Sequence, residues 1–264
     1  MLIWGTKRKL KRIGIVAEFC PICREIQPFE ISSVSMVNHL YFLPLGSGNI
    51  VGFIGVCQDC AIERQVEAQK YPKTYPQEPD NFQELIKHTH PDIFVVYQKR
   101  LELEGKIARR GSITEEERER LLSEPFETIN PMLERQYGES LRFDRKSGRS
   151  CVITLLIPLV FFCISSFFFR QVIVDFLKIA AALFTIAGML VTLVFIFTTR
   201  PRYLKQKIYP ALAKALYPLK PTSEELESIL TRYQGLGLQI GKRIRTEMIL
   251  EEMGRLSQRI HHTA

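Results

Sequence analysis

Two cysteine pairs, in "FCPICREIQPF" and "IGVCQDC", carry the residue types and spacing in this chain that can do chemistry. Cys20 and Cys23 enclose Pro-Ile, and Cys57 and Cys60 enclose Gln-Asp. A thiolate pair at that spacing holds one metal ion from a tight turn, whose backbone N–H groups stabilise the sulfur charge. Two such turns supply four sulfurs, which suits tetrahedral zinc. The rival chemistries are a redox couple, a disulfide staple and iron–sulfur ligation. A thioredoxin-like site uses a single pair opening a helix inside a βαβ unit, whereas here there are two pairs and strand-like sequence follows the first. A disulfide needs an oxidising compartment. Zinc on Cys20, Cys23, Cys57 and Cys60 is the expectation, with iron as the alternative. Catalytic zinc keeps an open position beside a general base, and four cysteines close the shell, so the ion is expected to be structural. His39 lies between the pairs, and with four sulfurs present a strand histidine there packs rather than ligates.

The pairs must be brought together by what lies between them. "PFEISSVSM", "NHLYFLPL" and "NIVGFIGV" are β-branched and aromatic runs, separated by turn residues including Gly46, Ser47, Gly48 and Asn49. They predict a small antiparallel sheet that carries the second pair back to the first, a zinc ribbon over residues 1–65. A segment of about 60 residues has a modest core and is of a size that needs a metal to hold it.

The stretches "IWGTKRKLKRIGIVAEFCPIC", "HLYFLPLGSGNIVGF" and "CQDC" resemble the bacterial zinc-ribbon families. Those open on a Trp-Gly-Thr-Lys-type strand and carry an aromatic-rich strand with Pro-Leu before the second cysteine pair. The likeness covers about the first quarter of the chain. It implies a zinc-binding recognition or scaffold module, with no shared enzymatic activity to carry over. The linking turn here lacks a second proline that some members show.

The chain has 264 residues, 46% hydrophobic and 24% charged, with a formal net charge of +8. Residues 151–169, "CVITLLIPLVFFCISSFFF", and 179–199, "IAAALFTIAGMLVTLVFIFTT", carry no charge. Each is about the length a helix needs to span roughly 30 Å of hydrocarbon. Residues 148–199 therefore predict a transmembrane helical hairpin, with spans near 151–169 and 178–199. Arg142, Arg145, Lys146 and Arg149 before it, and Arg200, Arg202, Lys205 and Lys207 after it, point both termini to the cytoplasm. The expected localisation is the inner membrane, multi-pass, with the lipid bilayer as a partner and the thiols kept reduced. Cys151 and Cys163 in the first run read as small lipid-compatible residues. No secretory signal is read at the start, and the net charge is assigned mainly to the juxtamembrane clusters.

Residues 66–147 read as a helical region. Asn81 with Glu84 predicts a capping box, and a helix follows over about 91–110 with Ile93, Phe94, Tyr97 and Leu101 on one stripe. Gly111 ends it. Thr114 with Glu117 is a second box, and Phe126, Ile129, Leu133 and Tyr137 mark a further stripe interrupted by Pro131. "GKIARRGSITEEE" has the glycine and final glutamate of an EF-hand, but Lys106, Ala108 and Arg110 at the early ligand positions exclude calcium. Its Gly-x-Ile-Thr-x-Glu-Glu core also resembles, over about 25 residues, a short helix–turn–helix oligomerisation module of bacterial membrane proteins. His88, His90 and Asp92 are a possible metal group or, equally, residues of a helix C-terminus.

Residues 200–264 read as juxtamembrane and C-terminal helices. Leu204, Ile208, Leu212 and Leu219 share one side of a helix that lies on headgroups or packs on protein. Thr222 with Glu225 is a third capping box, Leu226, Ile229, Leu230 and Tyr233 form its stripe, and Gly235 ends the helix. Ile249, Met253, Leu256 and Ile260 support a last one. Gly235, Gly237 and Gly241 follow a helix and have the wrong spacing for a dinucleotide loop. Lys242, Arg243 and Arg245 invite a DNA-reading helix-turn-helix, but Glu247, Glu251 and Glu252 would repel phosphate.

The expected fold class is thus a multi-domain α+β membrane protein: ribbon, helical middle, two-span hairpin, C-terminal helices. The expected function is a non-enzymatic, membrane-anchored scaffold that binds protein or self-associates. A nucleic-acid regulator using Lys7, Arg8, Lys9, Lys11 and Arg12 is one alternative. A membrane enzyme is the other, weakened by the absence of any Ser/His/Asp, HExxH or phosphate-loop pattern. No cofactor-binding or catalytic residue is assigned.

Overall fold

A computed structural model describes residues 4–40, 43–109, 111–138 and 202–263. The chain divides into two compact units, Met1–Gly138 with Tyr209–Ala264, and Glu139–Ile208. Of the second unit, only 202–208 are described, and they end in a π-helical stretch, Leu204–Ile208.

The first unit opens on a four-stranded antiparallel meander, β1 (Trp4–Cys20), β2 (Glu25–Leu40), β3 (Leu43–Cys57) and β4 (Glu63–Val66), in spatial order β1-β2-β3-β4. The strands are longer than the expected short runs. "PFEISSVSM" and the first three residues of "NHLYFLPL", Asn38–Leu40, merge into a single β2, and Leu43–Leu45 of the same run open β3. A bulge between Arg12 and Gly14 shifts the register of β1 against β2. Gly14 is needed there, since a Cβ would lie 2.6 Å from the Tyr75 carbonyl oxygen. Beside it, Ile15 and Tyr75 exchange backbone bonds of 2.6 and 3.0 Å. That bridge, and Thr89 Oγ1 accepting from the Ala17 N–H at 2.9 Å, cover this end of the β1 edge.

The inner end of the sheet packs on helices. Ile15 and Ala17 meet Leu85, Ile86 and Ile93, from α1 (Phe82–Thr89) and α2 (Ile93–Val96). The helix expected over 91–110 is broken: α2 ends at Tyr97 (φ −102°, ψ 15°) and α3 runs Gln98–Ala108. Tyr97 is held by tertiary contacts, its ring stacked on Phe19 at 5.2 Å, and these override the helical pattern. Phe94 of the expected stripe is half exposed.

A second core is helical. α4 (Glu115–Gly138) runs unbroken through Pro125 and also through Pro131, the position at which an interruption is expected from the sequence. An interior proline costs about 3 kcal/mol. Burial of Leu121, Leu122, Phe126, Ile129, Met132 and Leu133 on one face offsets that. Against α4 pack α5 (Tyr209–Leu216), α6 (Ser223–Gly235), whose Tyr233 ring meets Phe126, and α7 (Gln239–Arg243), while α8 (Thr246–Thr263) lies on α5 and α6. α5 buries Leu212, Ala213, Ala215 and Leu216, so of its two expected settings it takes the one on protein. Gly241 lets α7 approach α6 closely, since a Cβ there would lie 2.2 Å from the Gln234 nitrogen. The boxes at Thr114–Glu117 and Thr222–Glu225 form reciprocally. Asn81 instead caps Gln83 alone, at 2.9 Å, and Glu84 accepts from the Tyr75 hydroxyl.

The membrane expectations are corrected. The runs 151–169 and 178–199, with Cys151 and Cys163, lie outside the described residues. Among the described residues no helix is long and apolar enough to cross a membrane. The longest, α4 and α8, carry charges along their length, from Glu115 to Arg135 and from Glu247 to Arg259. The architecture is an antiparallel sheet with helices. The two-span hairpin, the bilayer as partner and a multi-pass inner-membrane location with cytoplasmic termini have no support among the described residues, none of whose helices is long and apolar enough to cross hydrocarbon.

Candidate metal centre

Strand parity brings the cysteines together. β1 and β3 flank β2 and run the same way, so their last residues, Cys20 and Cys57, emerge at one end of the sheet. Each strand then closes into the same short knuckle. The Arg24 N–H donates to the Cys20 carbonyl at 2.7 Å, and the Ala61 N–H donates to the Cys57 carbonyl at 2.9 Å. The residue after each pair is left-handed, Arg24 with φ 64° and Ala61 with φ 55°. The Cys23 N–H also points at Cys20 Sγ, 3.4 Å away, as the thiolate-stabilising turn requires.

All four sulfurs lie within 4.8 Å of one another, and among the described residues they form the one group suited to a metal ion. Across the knuckles, Cys20 and Cys60 are 3.6 Å apart, and Cys23 and Cys57 are 3.8 Å apart. A disulfide needs about 2.05 Å, and all four are free thiols. A tetrahedron built on Zn–S bonds of about 2.3 Å has S···S edges of about 3.8 Å. The donor set and its spacing therefore fit a tetrahedral metal ion.

Cys20 and Cys57 are buried, Cys23 and Cys60 half-buried. As bare thiols they are mutually frustrated. Cys57 is driven toward the thiolate by hydrogen bonds from Cys20, Cys23 and Cys60. Cys23 is pushed up, by its hydrogen bonds with Cys20 and Cys57 and by burial.

Charged side chains surround the knuckles. Arg24, nearly buried, donates through Nε to Glu104 at 2.8 Å and through Nη1 to the Ala215 carbonyl at 2.9 Å. Glu104 continues through Arg100 (2.9 Å) to Glu124 (2.7 Å), tying the first knuckle to α3 and α4. On the open side, Asp59 accepts from the Cys23 thiol at 3.1 Å and is ion-paired with Lys214 of α5.

Next to the centre lies a group that motif reading passed over. Glu18, only 1% exposed, accepts hydrogen bonds from Tyr71 (2.6 Å), Tyr97 (2.5 Å) and Lys70 (3.0 Å). Burial alone would raise its pKa, but those three donors hold it below the usual carboxylate range. Burial, then the Glu18 charge, pushes the Tyr97 hydroxyl up. The signal was present: strand alternation puts Glu18 on the same face as Cys20, which must turn inward to bind.

The other expected residues are dispersed. His88 packs edge-on to Tyr75, and His90 edge-on to Tyr71 and Tyr97, and neither joins Asp92 in a metal group. His39 lies in β2. Lys7, Arg8, Lys9, Lys11 and Arg12 all belong to β1, with Lys9, Lys11 and Arg12 exposed and Arg12 paired to Glu30 at 3.2 Å. Cations on an edge strand also keep it from pairing with another sheet. Arg243 lies 5.0 Å over the Tyr137 ring. Comparison with family models, curated proteins and solved structures finds no match.

Proposed function

We propose that Cys20, Cys23, Cys57 and Cys60 bind one structural Zn2+ and that the chain is a non-enzymatic zinc-ribbon module that binds other proteins. The observation that carries the zinc reading is the pair of cross-knuckle sulfur separations, 3.6 and 3.8 Å, matching the edge of a zinc tetrathiolate. Four sulfurs complete the shell and leave no site for substrate, which supports a structural ion. Phe94, Val95 and Val96, exposed by 50%, 74% and 56%, are three consecutive apolar side chains in water and support a protein-contact role.

Metal analysis of the purified full chain tests this. One zinc per chain is expected, falling to near zero in Cys20→Ser/Cys57→Ser, together with zinc-dependent enrichment of a protein partner in affinity capture. A wild-type chain with no zinc, or with iron in its place, overturns the zinc assignment. Capture that is indifferent to zinc overturns the module.

A further inference from the structure

The Cys23 side of the centre holds a charge arrangement that metal binding would change. In the thiol state Cys23 donates to Asp59 Oδ2 at 3.1 Å. A metal that takes up the sulfur removes that proton, leaving a thiolate and a carboxylate at hydrogen-bond distance with no proton between them. Four thiolates on a divalent ion also carry two net negative charges. Lys214 is the cation at this point: its Nζ pairs with Asp59 and lies 3.7 Å from Cys23 Sγ. Arg24, the other nearby cation, is already engaged by Glu104.

Lys214 is 191 residues from Cys23 and belongs to α5, whose next residue, Ala215, accepts from Arg24. The two contacts grip one turn of helix: Arg24 holds its backbone, and Cys23 and Asp59, one from each knuckle, hold its lysine. Resting on the zinc reading above, we propose that Lys214 completes the metal centre as its charge-balancing residue. Metal loading and the docking of Tyr209–Leu216 on the ribbon are then one coupled event. Coupling of this kind is reciprocal: whatever factor the docked lysine adds to metal affinity, the metal adds to docking.

The test is zinc competition against a chromophoric chelator on the full chain, with hydrogen exchange of 209–216 read in parallel. Lys214→Met should weaken zinc by about three- to tenfold, at the low end for a residue behind the ligands because the lysine is partly exposed. Lys214→Arg should recover most of the loss, and the distant Lys242→Met should change nothing. Zinc should slow exchange in 209–216 of the wild type and much less in Lys214→Met. Asp59→Asn, which removes the competing anion, should bind zinc at least as well as the wild type. Unchanged affinity in Lys214→Met, exchange indifferent to zinc in the wild type, or a loss in Asp59→Asn equal to that in Lys214→Met would each overturn the proposal. A wild-type chain that takes up no zinc fails one step earlier, at the reading of the cysteines, and is told apart by that.

Discussion

Arg24 and Ala61 occupy the same position in the two knuckles and the same backbone state, with φ of 64° and 55°. Each follows its second cysteine, and each N–H returns to the carbonyl of its first. The left-handed conformation costs an L-residue about 1–2 kcal/mol. Glycine would adopt it freely, yet neither position holds one. For Arg24 the reason is visible in its side chain, which reaches Glu104 and Ala215.

Ala61 has no such duty, and this yields the first prediction. Ala61→Gly should be at least as stable as the wild type. Ala61→Val, whose branched side chain is worst suited to this φ, should lose roughly 2 kcal/mol. Urea denaturation of the zinc-loaded proteins measures both. A valine variant as stable as the glycine one would mean the knuckle does not hold this conformation.

Glu18 supplies the second. Its lowered pKa, set against an unfolded carboxyl near 4.3, means stability that is present above about pH 4.3 and lost as pH falls through the lower folded value. Glu18→Gln removes the charge from a buried group that two hydroxyls and an ammonium address, and should cost about 2–3 kcal/mol at neutral pH. The same variant should flatten the acid limb of the stability curve. A variant that keeps the wild-type acid limb would assign that limb to other carboxylates.

His90 supplies the third, at higher pH. It is buried, its Nδ1 has no hydrogen-bond partner, and its ring meets Tyr71 and Tyr97. Burial lowers its pKa, aided by Lys70 and opposed by Glu18, the backbone of Ala17 and Asp92. A lowered folded pKa means stability present above the unfolded value, about 6.5, and lost as pH falls below it toward the folded value. His90→Phe keeps an aromatic ring in place and should abolish that slope below about pH 6.5. Denaturation midpoints of variant and wild type across this range decide it.

What could be read from the residues depended on how local the cause was. The cysteine cluster was legible because two turns of fixed spacing need little else to converge. The boxes at Thr114 and Thr222 were legible because donor and acceptor lie three residues apart. Where distant packing decides, the pattern misled. α4 ignores Pro131 because its buried face offsets the lost bond, and the helix expected over 91–110 breaks where Tyr97 turns to Phe19 and Glu18. Lys214 had no signal at all, since a lysine on a C-terminal helix does not announce a cysteine 191 residues away.

The last prediction concerns Glu225, which serves two structures at once. Within α6 it closes the capping box, accepting from the Thr222 N–H at 2.7 Å. Across the helical core it takes both branches of Arg118, at 2.6 and 3.0 Å, while the same arginine donates to the Leu219 carbonyl at 3.1 Å. Arg118 itself sits one residue past the other reciprocal box, so the two helix starts are joined through one ion pair. Both groups are about a quarter exposed, which leaves the pair only partly screened. Glu225→Ala should lose the cap and the pair together, roughly 2 kcal/mol. Arg118→Met should lose less, because the cap survives. A double variant should cost less than the sum of the two, since Arg118 has lost its partner already. Additive losses in a double-mutant cycle would show that the Arg118–Glu225 pair adds no coupling energy, and that the start of α6 owes nothing to it.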